Sequence, residues 1–186
     1  MTPLTHLLTK GIVTSLCLGL LTASHALMAD VEEDNEPKPT ETTKTCEEGH
    51  VWDAEKEKCI SIKDTSFNDD IIYQQARELA YANRHQDAIA LLEQAQNTNN
   101  PKILNYLGFS HRKAGNMDTA MSYYNQAITI DPNYILARSY MGQGLVTLGK
   151  IDLAKAQLQE IQQRGGKGTP AYDNLARAIE FQTSDY

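Results

Sequence analysis

Three side chains between residues 46 and 59 could bind a metal ion or form a covalent link. They are Cys46, His50 and Cys59, in the segment TCEEGHVWDAEKEKCISI. A Cys46–Cys59 disulfide would close a loop of 14 residues, which is worth about 3 kcal/mol in the chain-entropy account. A zinc site built from the same three residues is the alternative, but it lacks a fourth ligand and a closely spaced cysteine pair. We therefore predict a disulfide-closed β-hairpin at residues 46–62, with a turn at Gly49.

Other groups that could carry out catalysis are sparse. His85 and His111 lie in separate predicted helices, and no glycine-rich phosphate loop follows a predicted strand. The short GQG segment at 142–144 lies inside a predicted helix, where it is explained by packing. We expect no enzymatic activity, no cofactor and no metal site.

Small side chains recur at a fixed interval along the second half of the chain. Gly108 recurs as Gly142 and Ala120 as Ala154, both 34 residues later. An earlier copy has its small residues 32 residues upstream, and they are Ala76, Ala88 and Ala95. Small residues are useful in a helix where another backbone comes close, and this period is typical of stacked helix pairs.

The middle copy, residues 101–134, resembles a tetratricopeptide repeat. The residues that carry the resemblance are Leu104, Leu107, Gly108, Ala120, Tyr124, Ala127 and Pro132. The third copy has Arg138 where a large apolar residue is usual, and the first copy has Ala76 in place of the glycine. The chain is therefore identified as similar to exported bacterial proteins of this family. The resemblance implies an all-α, right-handed superhelical array of three helix pairs.

The predicted array occupies residues 69–182. We place the repeats at about 69–100, 101–134 and 135–168, and a polar capping helix at 169–182, with Thr169 as its N-cap and Pro170 at its first turn. Gly115 and Gly149 are expected to end helices. The final helix should cover the last repeat, since the end of such an array needs a covering element.

Residues 1–26 have the organisation of a secretory signal peptide. Lys10 is the only charged side chain before Asp30, an apolar run extends from Gly11 to Ala23, and the small residues Ser24 and Ala26 follow. The run is shorter than the roughly 20 apolar residues that span a bilayer. We expect cleavage, a periplasmic or secreted protein and no stable membrane insertion afterwards, with an uncleaved anchor as the alternative.

Residues 27–45 are rich in acids, proline and threonine, and we expect a disordered linker there because the segment has little apolar surface to bury. The chain as a whole has a formal net charge of −7. An acidic chain of this kind does not favour nucleic acid as a partner, which would need a basic face.

The first helices of successive repeats should line an inner, concave face. Helical spacing places a mixture of aromatic, basic and amide side chains on it: Tyr73, Arg77, Asn105, Phe109, Arg112 and Gln143. Such a groove suits an extended protein segment or peptide with apolar side chains and a carboxylate. We therefore expect a non-enzymatic interaction scaffold of the cell envelope that binds a protein or peptide partner.

Two alternatives remain open. The hairpin faintly resembles the cysteine motif of chitin-binding modules, so Trp52 could stack on a cell-wall glycan, or it could simply fill a small apolar knob. The array could also be a permanent structural subunit of an envelope complex.

Overall fold

The computed structural model describes residues 35–183. Its helices are α1 (Glu41–Lys44), α2 (Asp69–Tyr81), α3 (His85–Leu92), α4 (Pro101–Lys113), α5 (Met117–Ile130), α6 (Ile135–Thr147), α7 (Ile151–Gln163) and α8 (Pro170–Phe181). The strands are β1 (His50–Asp53) and β2 (Lys58–Ser61). The predicted signal peptide lies outside the described residues.

The helices stack as three pairs and a final helix. Helices α2 and α3, α4 and α5, and α6 and α7 pack together within the pairs, and each second helix also packs on the next first helix. The first helices α2, α4, α6 and α8 contact one another in the same order. The predicted all-α array with a closing helix, preceded by a disulfide-closed hairpin, is confirmed.

The ends of the helices follow from local chemistry. Asn68, Asn100 and Thr169 each accept a hydrogen bond at their N-cap positions from a backbone N–H of the first turn. The turns between paired helices need a left-handed residue, and Gly115 and Gly149 supply it with φ of 86° and 69°. In the first pair the same position is Asn83, with φ of 62°, since asparagine tolerates this conformation better than most residues.

The small residues of the repeat lie where helices cross. Ala88, Ala120, Ala127 and Ala154 are fully buried. Helix α6 is buried around most of its circumference because it is enclosed by the second repeat, its own partner α7 and the final helix.

The hairpin pairs β1 and β2 antiparallel, with Val51 opposite Ile60 and Trp52 opposite Cys59. A Cys46–Cys59 disulfide links the segment before β1 to β2. Because both sulfurs are oxidised, they cannot act as thiolate ligands, which removes the zinc alternative. Val51 and the adjacent Ile62 belong to the same apolar core as the first two repeats, so the hairpin packs on the array and closes its amino-terminal end.

The expected disorder up to residue 45 is wrong for the last part of that segment. Thr40 caps the short helix α1, and its backbone and hydroxyl both donate to the carboxylate of Glu78 on α2, at 2.7 and 2.6 Å. Thr43 donates to the same carboxylate. The threonines of this segment thus hydrogen-bond a buried carboxylate on a neighbouring helix, which orders the segment although it has little apolar surface. Amino-acid composition alone does not predict such hydrogen bonds.

Within residues 35–183, no helix is both long enough and apolar enough to cross a membrane. Across the same range, no group of three or more His, Cys, Asp or Glu side chains is arranged to hold a metal ion.

Candidate functional site

The first helices lie side by side and form one surface, which we call the inner face. A cavity of about 280 Å³ opens on it, and we call it the inner cavity. Its walls come from α2, the start of α3, α4, α6, α8 and the segment before α1, and they include Glu36, His85, Phe109, Lys113, Tyr140 and Gln143. The inner cavity thus brings together all four first helices.

An aromatic cluster forms the floor of the inner face. The ring of Phe109 lies 5.7 Å from that of Tyr81 and 4.9 Å from that of Tyr140, and Tyr106 lies 5.9 Å from Phe109. The hydroxyl groups of Tyr81 and Tyr140 are 3.0 Å apart. Burial, and the nearby phenols of Tyr106 and Tyr81, raise the pKa of Tyr140 well above its ordinary value. The Tyr140 hydroxyl therefore stays neutral, and its hydrogen bond with Tyr81 links α6 to α2 across the first helix between them.

Four of the six residues predicted to line the groove are buried. Asn105, Phe109, Arg112 and Gln143 are 0%, 5%, 6% and 2% exposed. The expectation that these aromatic and basic groups are exposed is wrong, because the tyrosines of neighbouring first helices fill the space between them. Phe109 and Gln143 still form part of the wall of the inner cavity. Whether any of the six contacts a partner stays a prediction.

Arg112 and Asn105 have internal partners. The Arg112 guanidinium stacks over Phe109 at 5.5 Å and donates to the Tyr124 hydroxyl at 3.4 Å. The amide of Asn105 donates to the Tyr134 hydroxyl at 3.2 Å. Arg112 therefore links the two helices of the second repeat, and Asn105 links the second repeat to the start of the third. Both side chains stabilise the inner face.

Tyr73 and Arg77 are half-buried at the amino-terminal end of the inner face. Arg77 Nε donates to the Tyr106 hydroxyl at 2.9 Å, and its guanidinium lies 5.8 Å from the centre of the Tyr81 ring. Desolvation opposes its charge, but the surrounding tyrosines outweigh that effect and raise the pKa of Arg77. Arg77 is therefore a fixed positive charge in an aromatic setting.

A second cavity of about 590 Å³, which we call the amino-terminal cavity, lies beside Arg77. The segment before α1, the hairpin residue Trp52 and the exposed side of α2 enclose it. Trp52 also borders a third cavity, of about 370 Å³. Its backbone carbonyl accepts a hydrogen bond from Gln75 at 2.9 Å, so Trp52 is held at the junction between the hairpin and the array.

His85 stands at the edge of the inner cavity, with its Nδ1 atom buried and without a hydrogen-bond partner. Desolvation lowers its pKa below the ordinary value of 6.5, and the positive charges of Lys113 and Arg112 lower it further. Desolvation also lowers the pKa of His111, although Glu93 opposes that shift. Neutral imidazoles are thus favoured by the folded state.

The lowered pKa values of His85 and His111 predict that the folded protein becomes less stable on acidification. The unfolded chain takes up protons at the ordinary histidine pKa and the folded chain only at lower pH, so the free energy of unfolding should decrease as pH falls below about 6.5. Replacing His85 with glutamine should flatten this dependence, leaving the part due to His111. Urea unfolding at about pH 7.5 and about pH 5.5 measures it, and an unchanged slope in His85→Gln would contradict the assignment.

Sequence reasoning missed the aromatic partners of the site. Tyr106 and Tyr140 are separated by 34 residues, the same interval as the small residues, so the signal was present in the repeat. The buried acid Glu78 gave no such signal, because its partners Thr40 and Thr43 lie 38 and 35 residues away in an apparently featureless segment.

Two family models match the chain, both described as tetratricopeptide repeat, over residues 73–135 and residues 111–179. Together they extend from α2 into α8 and cover more than half of the 186 residues.

Proposed function

Because residues 73–179 carry these matches, the chain belongs to the tetratricopeptide repeat family, and we propose that it is an adaptor that binds one protein partner on its inner face. Repeats of this family are generally protein–protein interaction modules without catalytic activity. The observation that carries the proposal is the inner cavity, where all four first helices meet.

The chemistry of the inner face favours a partner segment with carboxylates and apolar side chains. Lys113 and Phe109 border the inner cavity, and Arg77 borders the amino-terminal cavity beside it. The inner face therefore presents the cations Lys113 and Arg77 and aromatic rings, beside Glu36 of the segment before α1, although the chain as a whole is acidic. Charge contrast of this kind steers an acidic segment towards one face, and the aromatic floor provides apolar contact area.

An exported location fits this adaptor. The features of residues 1–26 support a secretory signal, and the Cys46–Cys59 disulfide needs an oxidising compartment. We propose that the protein acts in the periplasm or outside the cell, as part of the cell envelope machinery.

A charge reversal at the inner cavity should weaken partner binding. Lys113→Glu places a carboxylate where the acidic segment is to lie, and we expect about a tenfold loss of affinity, which corresponds to about 1.4 kcal/mol. The matched control is Lys155→Glu, which makes the same change of net charge on the outward side of α7, where Lys155 is 60% exposed.

The measurement is crosslinking and quantitative recovery from the native cells, using tagged chain and both variants. Selective loss of one adduct in Lys113→Glu supports the proposal. Equal loss in both variants, or an adduct set that neither variant changes, would show that the partner does not use the inner face.

A second candidate is glycan binding at Trp52, because this side chain borders two cavities. Retention on purified cell-wall polysaccharide should then fall in Trp52→Ala and be unaffected by Lys113→Glu. Equal retention of parent and Trp52→Ala removes this candidate.

A further inference from the structure

The described chain begins on the inner face itself. The backbone carbonyl of Asn35 accepts a hydrogen bond from the Arg77 guanidinium. Glu36, the next residue, borders both the inner cavity and the amino-terminal cavity. Part of the surface that we assign to a partner is therefore already in contact with the chain's own segment.

This segment is tethered where it leaves the inner face. Thr40 and Thr43 donate to the buried carboxylate of Glu78, and the Thr42 hydroxyl donates to Gln75 at 3.0 Å. These bonds fix α1 on α2, only a few residues from Arg77. A short tether of this kind gives the preceding residues a high effective concentration at the inner face.

The composition of the segment matches the ligand chemistry proposed above. Residues 30–36 read DVEEDNE and carry five carboxylates. Residues 36–40 have no regular secondary structure, and the prolines at 37 and 39 restrict the backbone to extended conformations. Residues 36–39 therefore have restricted backbone freedom and lose little entropy when they lie along the inner face.

We propose that the acidic segment Asp30–Pro39 is an intramolecular ligand of the inner face, and that a partner binds by displacing it. The inference rests on the proposed function and deepens it, because it names the class of partner. That partner presents an extended, acidic, proline-containing segment that competes for Arg77 and Lys113.

The direct test uses a fluorescein-labelled peptide with the sequence of residues 30–39, DVEEDNEPKP. It is titrated against the parent chain and against a variant with the segment's five acids changed to amides: Asp30→Asn, Glu32→Gln, Glu33→Gln, Asp34→Asn and Glu36→Gln. We expect the amide variant to bind the peptide at least about tenfold more tightly, since its own segment no longer competes. Adding Arg77→Gln should remove that gain, and a peptide with the same five amide changes should bind neither chain.

A second readout does not depend on peptide binding. Trp52 is the single tryptophan of the chain and borders the amino-terminal cavity together with the segment. Acrylamide should quench its fluorescence more strongly in the amide variant than in the parent at low salt, and raised salt should bring the parent towards the variant.

The outcomes separate the two ideas. If the amide variant binds the peptide no more tightly and Trp52 quenching is unchanged, the intramolecular ligand is overturned, while loss of the partner in Lys113→Glu still supports the proposed function. If quenching rises as expected but Lys113→Glu keeps its partner, the proposed function fails and the intramolecular contact stands. The parent chain could also form a dimer as its concentration rises, while the amide variant stays monomeric. That result would show that the segment is exchanged between two copies, and it would overturn the intramolecular form.

Discussion

A leucine at position 108 should destabilise the array by about 3 kcal/mol. A Cβ atom built on Gly108 would lie 2.6 Å from Cε1 and 2.7 Å from Cδ1 of Tyr124. Tyr124 is fully buried in the partner helix α5, and its hydroxyl accepts a hydrogen bond from Arg112. Because this ring is fixed at both ends, the two helices of the repeat must separate to admit the larger side chain. Urea unfolding followed by circular dichroism measures the loss.

Gly144→Ala is the matched control. Its Cβ would lie 2.3 Å from Cε of Met121, but that atom is the end of a flexible, half-buried side chain that can turn away. Alanine is also the better helix former, by up to about 1 kcal/mol, so we expect a change within about 1 kcal/mol of the parent. If Gly144→Ala is as destabilising as Gly108→Leu, close helix approach is not the reason for the glycine at position 108.

The spacing of small residues was sufficient to predict the helix pairs. A glycine or alanine that recurs every 34 residues reports a contact between backbones, and such contacts are set by the repeat itself. Gly142 shows the same rule at the end of the array, since its missing Cβ makes room for Leu175 of α8. The final helix itself was predicted from Thr169, Pro170 and the need to cover the third repeat.

The accessibility of the inner face could not be predicted in the same way. Helical spacing correctly places Phe109 and Arg112 on the side of α4 that faces its neighbours, but it does not say how far those neighbours extend. Tyr140 from α6 reaches Phe109, and Gln143 lies 3.4 Å from Arg112. Whether a side chain on this face is exposed depends on how long the side chains one repeat away are. The repeat period does not predict that length.

The hairpin illustrates the same limit. Cys46 and Cys59 were enough to predict a closed hairpin, because the constraint is local. Its attachment to the array depends on Arg84 and Asp87, which belong to the turn after α2 and the start of α3. Neither residue has a neighbour in sequence that would suggest this role.

Replacing Arg84 with methionine should detach the hairpin from the array. The Arg84 guanidinium donates to four backbone carbonyls at 2.7 to 3.2 Å, which belong to Thr42, Cys46, Glu47 and His50. It also pairs with Asp87 at 2.6 Å, and Asp87 in turn accepts from the backbone N–H of Gly49 at 3.0 Å. Methionine retains much of the apolar stem, but it leaves these carbonyls without the guanidinium donor and removes the charged partner of the largely buried Asp87. We expect a loss of about 3 kcal/mol.

Arg84→Lys should recover little of this loss, because an ammonium group cannot reach the same carbonyls as a planar fork. Arg177→Met, at an exposed arginine on α8, is the matched control and should change the free energy of unfolding by no more than about 0.5 kcal/mol. Urea unfolding gives the stability, and Trp52 fluorescence reports the hairpin separately from the helical signal. In Arg84→Met the Trp52 transition should precede the loss of helix, since the bridge keeps the hairpin closed while its attachment to α2 and α3 is lost. A single coincident transition with parental stability would mean that the remaining contacts, which include Val51, Ile62 and the Gln75 hydrogen bond to Trp52, hold the hairpin in place without Arg84.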